Sequence, residues 1–323
     1  TEIGQMQGGV MAMRYDKEQL LKVLTTSFAE FNTTEFQAMD ANLPPEQKEE
    51  WDAIYASFES GSILHGTIIG IERIELPAGV EVEDNDEDAS DAENAANYLT
   101  CLVIMKCCAK VLLPVPLFWR GRQARIKPVG VIGADVDYII IGVNREGSCA
   151  MASRLMALNR QRWYAREVKK VKAGDIVTAN VLAVGPSRLT VTVCGYDISL
   201  APPALSYHFL PDLRTVYTVG QNLDTKIMDI SDDLLVISMR EIAPDPYLTA
   251  DKMHPVDSSR IAVITNKYHG GVFCRLTDGC TVICKYAQQF ADDQFQVGDR
   301  VLVQIRSFDE EHHWLRGKIK SKL

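Results

Sequence analysis

Two stretches of the sequence place aromatic rings directly beside arginine and lysine. Residues 160–172, RQRWYAREVKKVK, carry Trp163 and Tyr164 among six basic side chains. Rings on which bases stack, set among cations that contact phosphates, are typical of nucleic-acid contact. A solvated helix face whose cations pair with acidic residues is an equally open alternative. The other stretch supplies five candidate contacts: Trp119, Arg120, Arg122, Arg125 and Lys127.

The side chains that could carry out catalysis are dispersed along the chain. Its six histidines fall in different segments. No phosphate-binding Walker loop, Gly-x-Ser-x-Gly elbow or His-Glu-x-x-His motif occurs. We therefore expect neither enzymatic activity nor a cofactor.

The eight cysteines contain no Cys-x-x-Cys pair. Most of them lie in strand-like apolar runs, which favours buried free thiols acting as small hydrophobic side chains. A metal site built from His269, Cys274, Cys280 and Cys284 is the alternative, although zinc does not favour this spacing. The prediction is that no metal is bound.

Charge is concentrated in one segment of the chain. The net charge of −9 argues by itself against a nucleic-acid partner. However, residues 81–93, EVEDNDEDASDAE, hold eight acidic side chains, and the rest of the chain is close to neutral. A run of this kind repels itself, so we expect an acidic disordered insertion over residues 81–97. A calcium loop fits poorly, because a central glycine and ordered ligand spacing are absent.

The elements that position these side chains are mainly strands. A glycine-bounded pattern of alternating apolar residues is clearest over residues 172–241, and its last part recurs over 297–319 as VGDRVLVQIRSFDEEHHWLRGKI. A looser copy covers residues 131–154. Recurrence of this kind predicts one small barrel used several times, which usually forms an extended binding surface.

The first part of the chain has helical periodicity instead. Apolar residues recur at helical spacing over 16–31 and again over 43–61, where Pro44 and Pro45 precede the second helix and Gly61 ends it. The predicted units are a helical segment (1–58), a first barrel with the acidic insertion (61–154), a basic helical linker (155–171), a second barrel (172–241), a proline-containing linker (242–258) and a third barrel (259–323).

The strand pattern resembles the RNA-binding domain of the ribosomal protein S-one family. In the third barrel, residues 268–273, YHGGVF, match that family's aromatic-glycine segment, and Val297-Gly298-Asp299 with Asp309 match its later motif. The second barrel keeps Gly174-Asp175, Val219-Gly220 and Asp229. The resemblance covers residues 61–320 and implies three tandem five-stranded OB-fold barrels.

The resemblance also implies a set of binding residues. Tyr268 and Phe273 would stand on the face of the third barrel as stacking rings, surrounded by His269, Arg275, Lys285 and Arg306. The second barrel has Gly185-Pro186-Ser187-Arg188 at the corresponding place, so that only Arg188 remains as a contact. Tyr196 could replace the missing ring only if its strand faces outward.

The predicted function is non-catalytic binding of single-stranded RNA in translation, with the ribosome or another protein as a partner of the N-terminal helices. Two alternatives stay open: single-stranded DNA binding, and a structural or assembly protein, of a type found in phages or mobile elements, with barrels that bind protein. No run approaches the 18 or so apolar residues that cross a bilayer. No basic start and apolar stretch mark a signal peptide, so we expect a cytoplasmic protein.

Overall fold

The computed structural model describes residues 36, 38–75, 98–119, 126–208, 210–231, 234–309 and 314–323. Strands dominate this part of the chain and form closed or nearly closed barrels, which confirms the expectation of a mainly β protein. The helix predicted over 16–31 and the acidic insertion 81–97 lie outside the described residues. None of the described helices has the length and apolarity needed to span a bilayer.

The first sheet closes on itself through one bent strand. Its hydrogen-bonded order is β1-β5-β6-β4-β3-β2, so β1 and β2 lie at opposite ends. Between them, Ile68 N–H donates to the Ala134 carbonyl and Ile69 N–H donates to the Val103 carbonyl, each at 2.9 Å. When β1 and β2 are counted as the two halves of one strand, this sheet has five strands, as the sequence predicts. The strands are β1 (Leu64–Thr67), β2 (Gly70–Glu75), β3 (Tyr98–Met105), β4 (Lys110–Pro114), β5 (Asp135–Asn144) and β6 (Cys149–Ser153).

The second sheet has five strands in the order β11-β10-β7-β8-β9, without pairing between β9 and β11. Its buried apolar side chains, among them Val191, Leu213 and Ile227, form a separate core. This sheet is therefore a nearly closed barrel. Its strands are β7 (Ile176–Val184), β8 (Leu189–Val193), β9 (Tyr196–Leu200), β10 (Asn222–Ile230) and β11 (Leu235–Ser238).

The third sheet is a closed barrel in the order β12-β13-β14-β16-β15. β12 pairs with β15 to close it, and β14 runs parallel to β16, as β4 does to β6 in the first sheet. The first and third barrels thus share one connectivity. The strands are β12 (Ser259–Tyr268), β13 (Gly271–Leu276), β14 (Thr281–Lys285), β15 (Arg300–Asp309) and β16 (Trp314–Lys322).

Within the described residues, four α-helices connect or cover these sheets. Helix α1 begins at Pro45, where the missing amide hydrogen is not needed, and ends at Gly61, whose φ of 65° terminates the helix. Its buried residues Trp51, Ile54 and Tyr55 belong to the core of the first barrel. Helix α1 is therefore packed on that barrel. The helices are α1 (Pro45–Ser60), α2 (Arg154–Trp163), α3 (Pro202–Leu205) and α4 (Ala250–Met253), and a π-helical turn, Tyr164–Val168, continues α2.

Helix α1 is also tied to the first barrel by a buried charge. Tyr55 Oη donates to Asp40 at 2.6 Å, and Arg145 Nε donates to the other oxygen of Asp40 at 2.8 Å. The guanidinium of Arg145 lies 4.4 Å from the ring centroid of Trp51. Burial and the hydrogen bond to Asp40 raise the pKa of the Tyr55 hydroxyl, which keeps its proton in the bond.

The first and second barrels meet closely at two glycines with positive φ. Gly195 has a φ of 82°, and a Cβ added there would lie 2.9 Å from the backbone nitrogen of Arg162 in α2. Gly220 has a φ of 81°, and its Cβ would lie 2.5 Å from the Gly133 carbonyl oxygen of the first barrel. Only glycine permits these backbone approaches, so the two barrels are docked directly on each other.

The segment between the second and third barrels is docked on the third. Tyr247 Oη accepts a hydrogen bond from Thr281 N–H at 3.0 Å, and His254 Nε2 lies 2.5 Å from Asp278 Oδ2. Burial alone would raise the pKa of the Asp278 carboxyl. Hydrogen bonds from His254 and the Cys280 amide instead hold its pKa below the usual range.

We expect Asp278→Asn to lower the free energy of unfolding by about 1 kcal/mol at pH 7, because the amide keeps the turn but loses the charge. A carboxyl with a depressed folded-state pKa stabilises the fold above its unfolded pKa of about 3.9 and loses that effect as pH falls. Urea denaturation of both proteins at pH 7, 5, 4 and 3 measures this. A difference that stays constant down to pH 3 would contradict the assignment.

Candidate nucleic-acid interface

Tyr268 and Phe273 form an aromatic pair on the outer surface of the third barrel. On β13, Val272 and Cys274 are buried in the core, so Phe273 between them faces outward and is half-buried. The ring centroids of Tyr268 and Phe273 are 5.2 Å apart and tilted by 54°. Burial raises the pKa of the Tyr268 hydroxyl, which is therefore neutral at pH 7. The pair offers two uncharged rings at a barrel surface.

Gly271 provides the space in which the Tyr268 ring lies. The two residues face each other across the β12–β13 pair. A Cβ on Gly271 would lie 2.6 Å from Cζ of Tyr268 and would also overlap the Cys284 carbonyl. The glycine at this position therefore determines where the tyrosine ring can stand, because any side chain would displace it.

Strand pairing places a row of outward residues on either side of Phe273. Phe273 is opposite Ile283 on β14, and Ile283 is opposite Arg316 on β16. In the same way Lys285 is opposite Lys318. Directly opposed residues share one face of a sheet. We call this surface the aromatic–basic face; its members are Tyr268, Phe273, Arg275, Lys285, Arg316 and Lys318.

Sequence reasoning missed Arg316 and Lys318. On β16, Arg316 follows the buried Leu315, and Lys318 follows the buried Gly317. This alternation of buried and more accessible residues was the sequence signal that could have identified both cations. That signal does not show which strand lies beside β16. Only the parallel pairing with β14 brings these cations to the aromatic pair.

The structure brings together most of the residues predicted for the third barrel. Arg275 and Lys285 are exposed on β13 and β14, and His269 is exposed at the turn between β12 and β13. Arg306 lies on β15 at the register shift opposite Arg316 and Gly317, and its guanidinium makes an ion pair with Asp257 at 3.1 Å. Because this ion pair occupies the guanidinium, Arg306 is not counted among the members of the aromatic–basic face.

The charge of the third barrel differs in sign from that of the whole chain. Residues 259–323 contain ten Lys and Arg against seven Asp and Glu, whereas the complete chain has a net charge of −9. Four of those ten cations stand on the aromatic–basic face. An anion approaching this surface therefore meets a locally favourable potential.

In the second barrel the predicted contacts do not form a comparable surface. Tyr196 is only 4% exposed, and the Arg162 guanidinium covers its ring at 4.4 Å, so it does not replace the missing stacking residue. Arg188 is exposed in the turn between β7 and β8. It stands there without an adjacent exposed ring in the described part of this barrel.

The prediction for Trp119 is wrong. Its side chain is 1% exposed and packs edge-on against Phe118 in the core of the first barrel, with ring centroids 4.8 Å apart. A base cannot reach this ring unless the core opens, because Trp119 is the last residue of a buried apolar run that includes Leu117 and Phe118. Lys127 is exposed. Arg120, Arg122 and Arg125 lie outside the described residues.

The aromatic residues beside α2 are exposed. Trp163 is 60% and Tyr164 47% accessible, and Lys169 Nζ lies 5.7 Å from the Tyr164 ring centroid. They line a groove of about 760 Å³ between the first and second barrels. The groove also contains the carboxylates of Asp135 and Asp137 beside the cations Arg160 and Lys169, so its charge is mixed.

The cysteines predicted as possible metal ligands do not meet His269. His269 is at the β12–β13 turn, whereas Cys280 precedes β14 at the other end of β13. In the described part of the chain, His254, Asp278 and Cys280 come within 4.8 Å of one another. Burial raises the pKa of the Cys280 thiol to about 12, and its S–H donates to the Pro246 carbonyl at 3.2 Å. Since a metal would need the thiolate, the group is better described as a hydrogen-bonded tether.

A small β-barrel module with an aromatic and basic outer face is the class of structure that these observations define. No family model matches the chain. It is 20% identical over 221 residues to small ribosomal subunit protein bS1 of Coxiella burnetii, which covers 64% of this chain and 40% of that protein. This distant similarity confirms the S-one resemblance. The chain spans about two fifths of the length of the curated relative.

Two solved structures are also similar, at low identity. One is a multidomain protein with nucleic acid binding domains from Streptococcus pneumoniae, with 12% identity, 80% of this chain and 73% of that chain covered, and a TM-score of 0.19. The other is Drosophila Unr CSD456, with 9% identity, 81% and 97% covered, and a TM-score of 0.17. TM-scores this low do not support a conclusion about the chain.

Proposed function

We propose that this protein binds single-stranded RNA without catalysing a reaction, and that the aromatic–basic face of its third barrel is the main contact surface. The observation that carries the proposal is the Tyr268–Phe273 pair with its ring centroids 5.2 Å apart, beside four basic side chains. Rings for bases and cations for phosphates are the two requirements of single-strand binding.

The barrels themselves support the same proposal. The proposal treats residues 61–154, 172–241 and 259–323 as three units of OB type, because closed or nearly closed barrels of this kind commonly bind single strands on one face. The units differ in the side chains they present, because the described residues of the second barrel include no exposed ring corresponding to Phe273. We assign it a positioning role between the other two.

The similarity to small ribosomal subunit protein bS1 supports a role in translation. Because that similarity covers only 40% of the relative's length, binding to the ribosome is itself a proposal for this chain. The side chains of the aromatic–basic face support binding rather than reaction. None of its six members is a carboxylate, a thiol or a histidine that could act as a base or nucleophile at neutral pH.

We expect labelled single-stranded RNA to bind with an affinity that falls steeply with salt. Four phosphate contacts, from Arg275, Lys285, Arg316 and Lys318, give a log–log slope of about −2.8 for a single strand. Raising monovalent salt from about 50 to about 200 mM should then weaken binding about fifty-fold. Fluorescence anisotropy against RNA and DNA of the same sequence measures this.

The matched variant for this experiment is Arg316→Gln/Lys318→Gln. It should reduce the magnitude of the slope by about 1.4, because two phosphate contacts are lost while both rings remain. Equal affinity for DNA would reject the RNA preference alone. Absence of binding to either strand, with a stable symmetric oligomer, would reject the proposal and favour an assembly protein.

A further inference from the structure

A cleft of about 470 Å³ lies between the second and third barrels. One wall comes from the second barrel and includes Tyr207, His208 and Arg240. The other wall comes from the third barrel and includes Phe273, Ile283 and Trp314. Phe273 and Ile283 belong to the row that crosses the aromatic–basic face, so the cleft opens directly from that face.

Contacts on both sides hold the two walls in place. In the second barrel, Met239 N–H donates to the Ala204 carbonyl at 2.9 Å, which fixes the segment carrying Arg240 against helix α3. Across the cleft, the ring of His208 lies against Gly279, where an added Cβ would be 3.0 Å from its Cε1. Tyr247 in the connecting segment accepts the hydrogen bond from Thr281. The cleft is thus formed by the docked pair of barrels.

The cleft combines aromatic surfaces with polar atoms that lack partners. The Arg240 guanidinium lies 4.9 Å from the ring centroid of Tyr207, and Trp314 is 46% exposed. Arg240 Nε and His208 Nδ1 are buried atoms with no hydrogen-bond partner among the described residues, whereas Arg240 Nη2 donates to Glu241 at 3.1 Å. Buried polar groups are normally satisfied, so two unpaired atoms on residues that line one cleft favour a polar ligand there.

The protonation state of His208 fits a neutral polar ligand. Burial, and then the positive charge of Arg275, lower the pKa of its imidazole. The ring is therefore neutral at pH 7, and Nδ1 can accept or donate according to its tautomer. Arg240 Nε can only donate. The Asp245 carboxylate also lines the cleft, so a ligand with flat faces, acceptors for Arg240 and donors for Asp245 matches it.

We propose that this cleft binds one nucleobase of the RNA strand lying on the aromatic–basic face, with guanine preferred. Guanine presents two acceptors, O6 and N7, on one edge, and arginine is their commonest partner. Aromatic side chains at Tyr207, Phe273 and Trp314 would cover the faces of the base. This inference rests on the proposed function. A free guanine nucleotide shares the same chemistry, and the experiment separates the two sources.

The test compares a labelled oligouridine with the same strand carrying one central guanine, and with GMP as a competitor. We expect the guanine strand to bind about ten-fold more tightly than oligouridine, which is within the range of one good arginine–guanine contact. Arg240→Gln should remove this preference and change oligouridine binding less than about two-fold. GMP should compete only at concentrations far above the Kd of the strand.

Two further variants keep the test decisive. Arg214→Gln removes an exposed arginine of the same barrel that is paired with Asp212 at 2.7 Å, and it should retain the preference. Tyr207→Leu should remove the preference because one of the rings that cover the base is lost. Thermal unfolding checks that each cleft variant is folded, so that misfolding of one of them does not decide the result.

The outcomes separate the inference from the proposed function. If the intact chain binds neither strand, the proposed function fails. If it binds both strands equally, and Arg240→Gln and Tyr207→Leu change nothing, the cleft inference is overturned while the proposed function stands. If GMP competes as strongly as the strand itself, the ligand is a free nucleotide and the assignment to a strand base is overturned.

Discussion

Arg154→Met is expected to lower the free energy of unfolding by about 3–5 kcal/mol, because it leaves the Asp197 carboxylate buried without its counter-charge. The side chains of Arg154 and Asp197 are 1% and 3% exposed. The guanidinium donates to both Asp197 oxygens, at 2.8 and 2.6 Å. Without Arg154 the desolvated carboxylate loses both bonds from the guanidinium and keeps the hydrogen bond that Thr192 Oγ1 donates at 2.9 Å.

Further contacts make Arg154 a junction between the first and second barrels. It also donates to the Phe118 carbonyl at 3.0 Å and to Thr192 Oγ1 at 2.7 Å, and its guanidinium lies 4.7 Å from the Phe118 ring centroid. Phe118 belongs to the core of the first barrel, whereas Thr192 and Asp197 are on β8 and β9 of the second. Loss of Arg154 should therefore loosen the docking of the two barrels as well as destabilise the fold.

Urea denaturation followed by tryptophan fluorescence measures this effect, with Arg154→Met/Asp197→Leu as the matched control. Removing both charges should recover most of the loss, because replacement of a buried ion pair by apolar residues is often neutral. A single variant that lost less than about 1 kcal/mol would contradict the burial of an uncompensated charge.

Tyr268→Ala/Phe273→Ala is expected to weaken single-stranded RNA binding by about 2–6 kcal/mol, or at least about thirty-fold. Each ring that stacks on a base contributes roughly 1–3 kcal/mol. The salt slope should remain near its original value, because the four cations of the aromatic–basic face are untouched. Anisotropy titrations at several salt concentrations separate these two quantities.

Another aromatic pair in the described part of the chain provides the control. Trp163→Ala/Tyr164→Ala makes a comparable change beside α2, where the rings are 60% and 47% accessible. We expect RNA affinity to stay within about two-fold of the original in this variant. Loss of binding there, with the Tyr268 and Phe273 variant unaffected, would move the site to the groove between the first and second barrels.

Local patterns predicted the features that depend on neighbours in sequence. The alternation of apolar residues identified the strands, and the proline pair with Gly61 marked both ends of α1. The aromatic pair was predictable for the same reason. Tyr268 and Phe273 belong to two strands joined by a tight glycine turn, so their approach needs only one hairpin.

Features that depend on distant pairing were not predictable. Trp119 stands next to a basic stretch and reads as a surface residue, but the preceding strands fold it into the core. Arg154 reads as the first charge of a basic helix, yet its partner Asp197 is on another barrel and becomes adjacent only after docking. The cleft that contains Arg240 and Trp314 has no signature in sequence for the same reason.

The sequence by itself therefore determined that the protein is mainly β, that its barrel pattern recurs, and that one hairpin carries two aromatic rings. These properties follow from side-chain alternation and turn chemistry, which act over a few residues. The tertiary structure alone decided which cations join those rings, which aromatic residues are buried, and where two barrels enclose a cleft. Parallel pairing of β14 with β16 and docking between barrels bring together residues that no local rule relates.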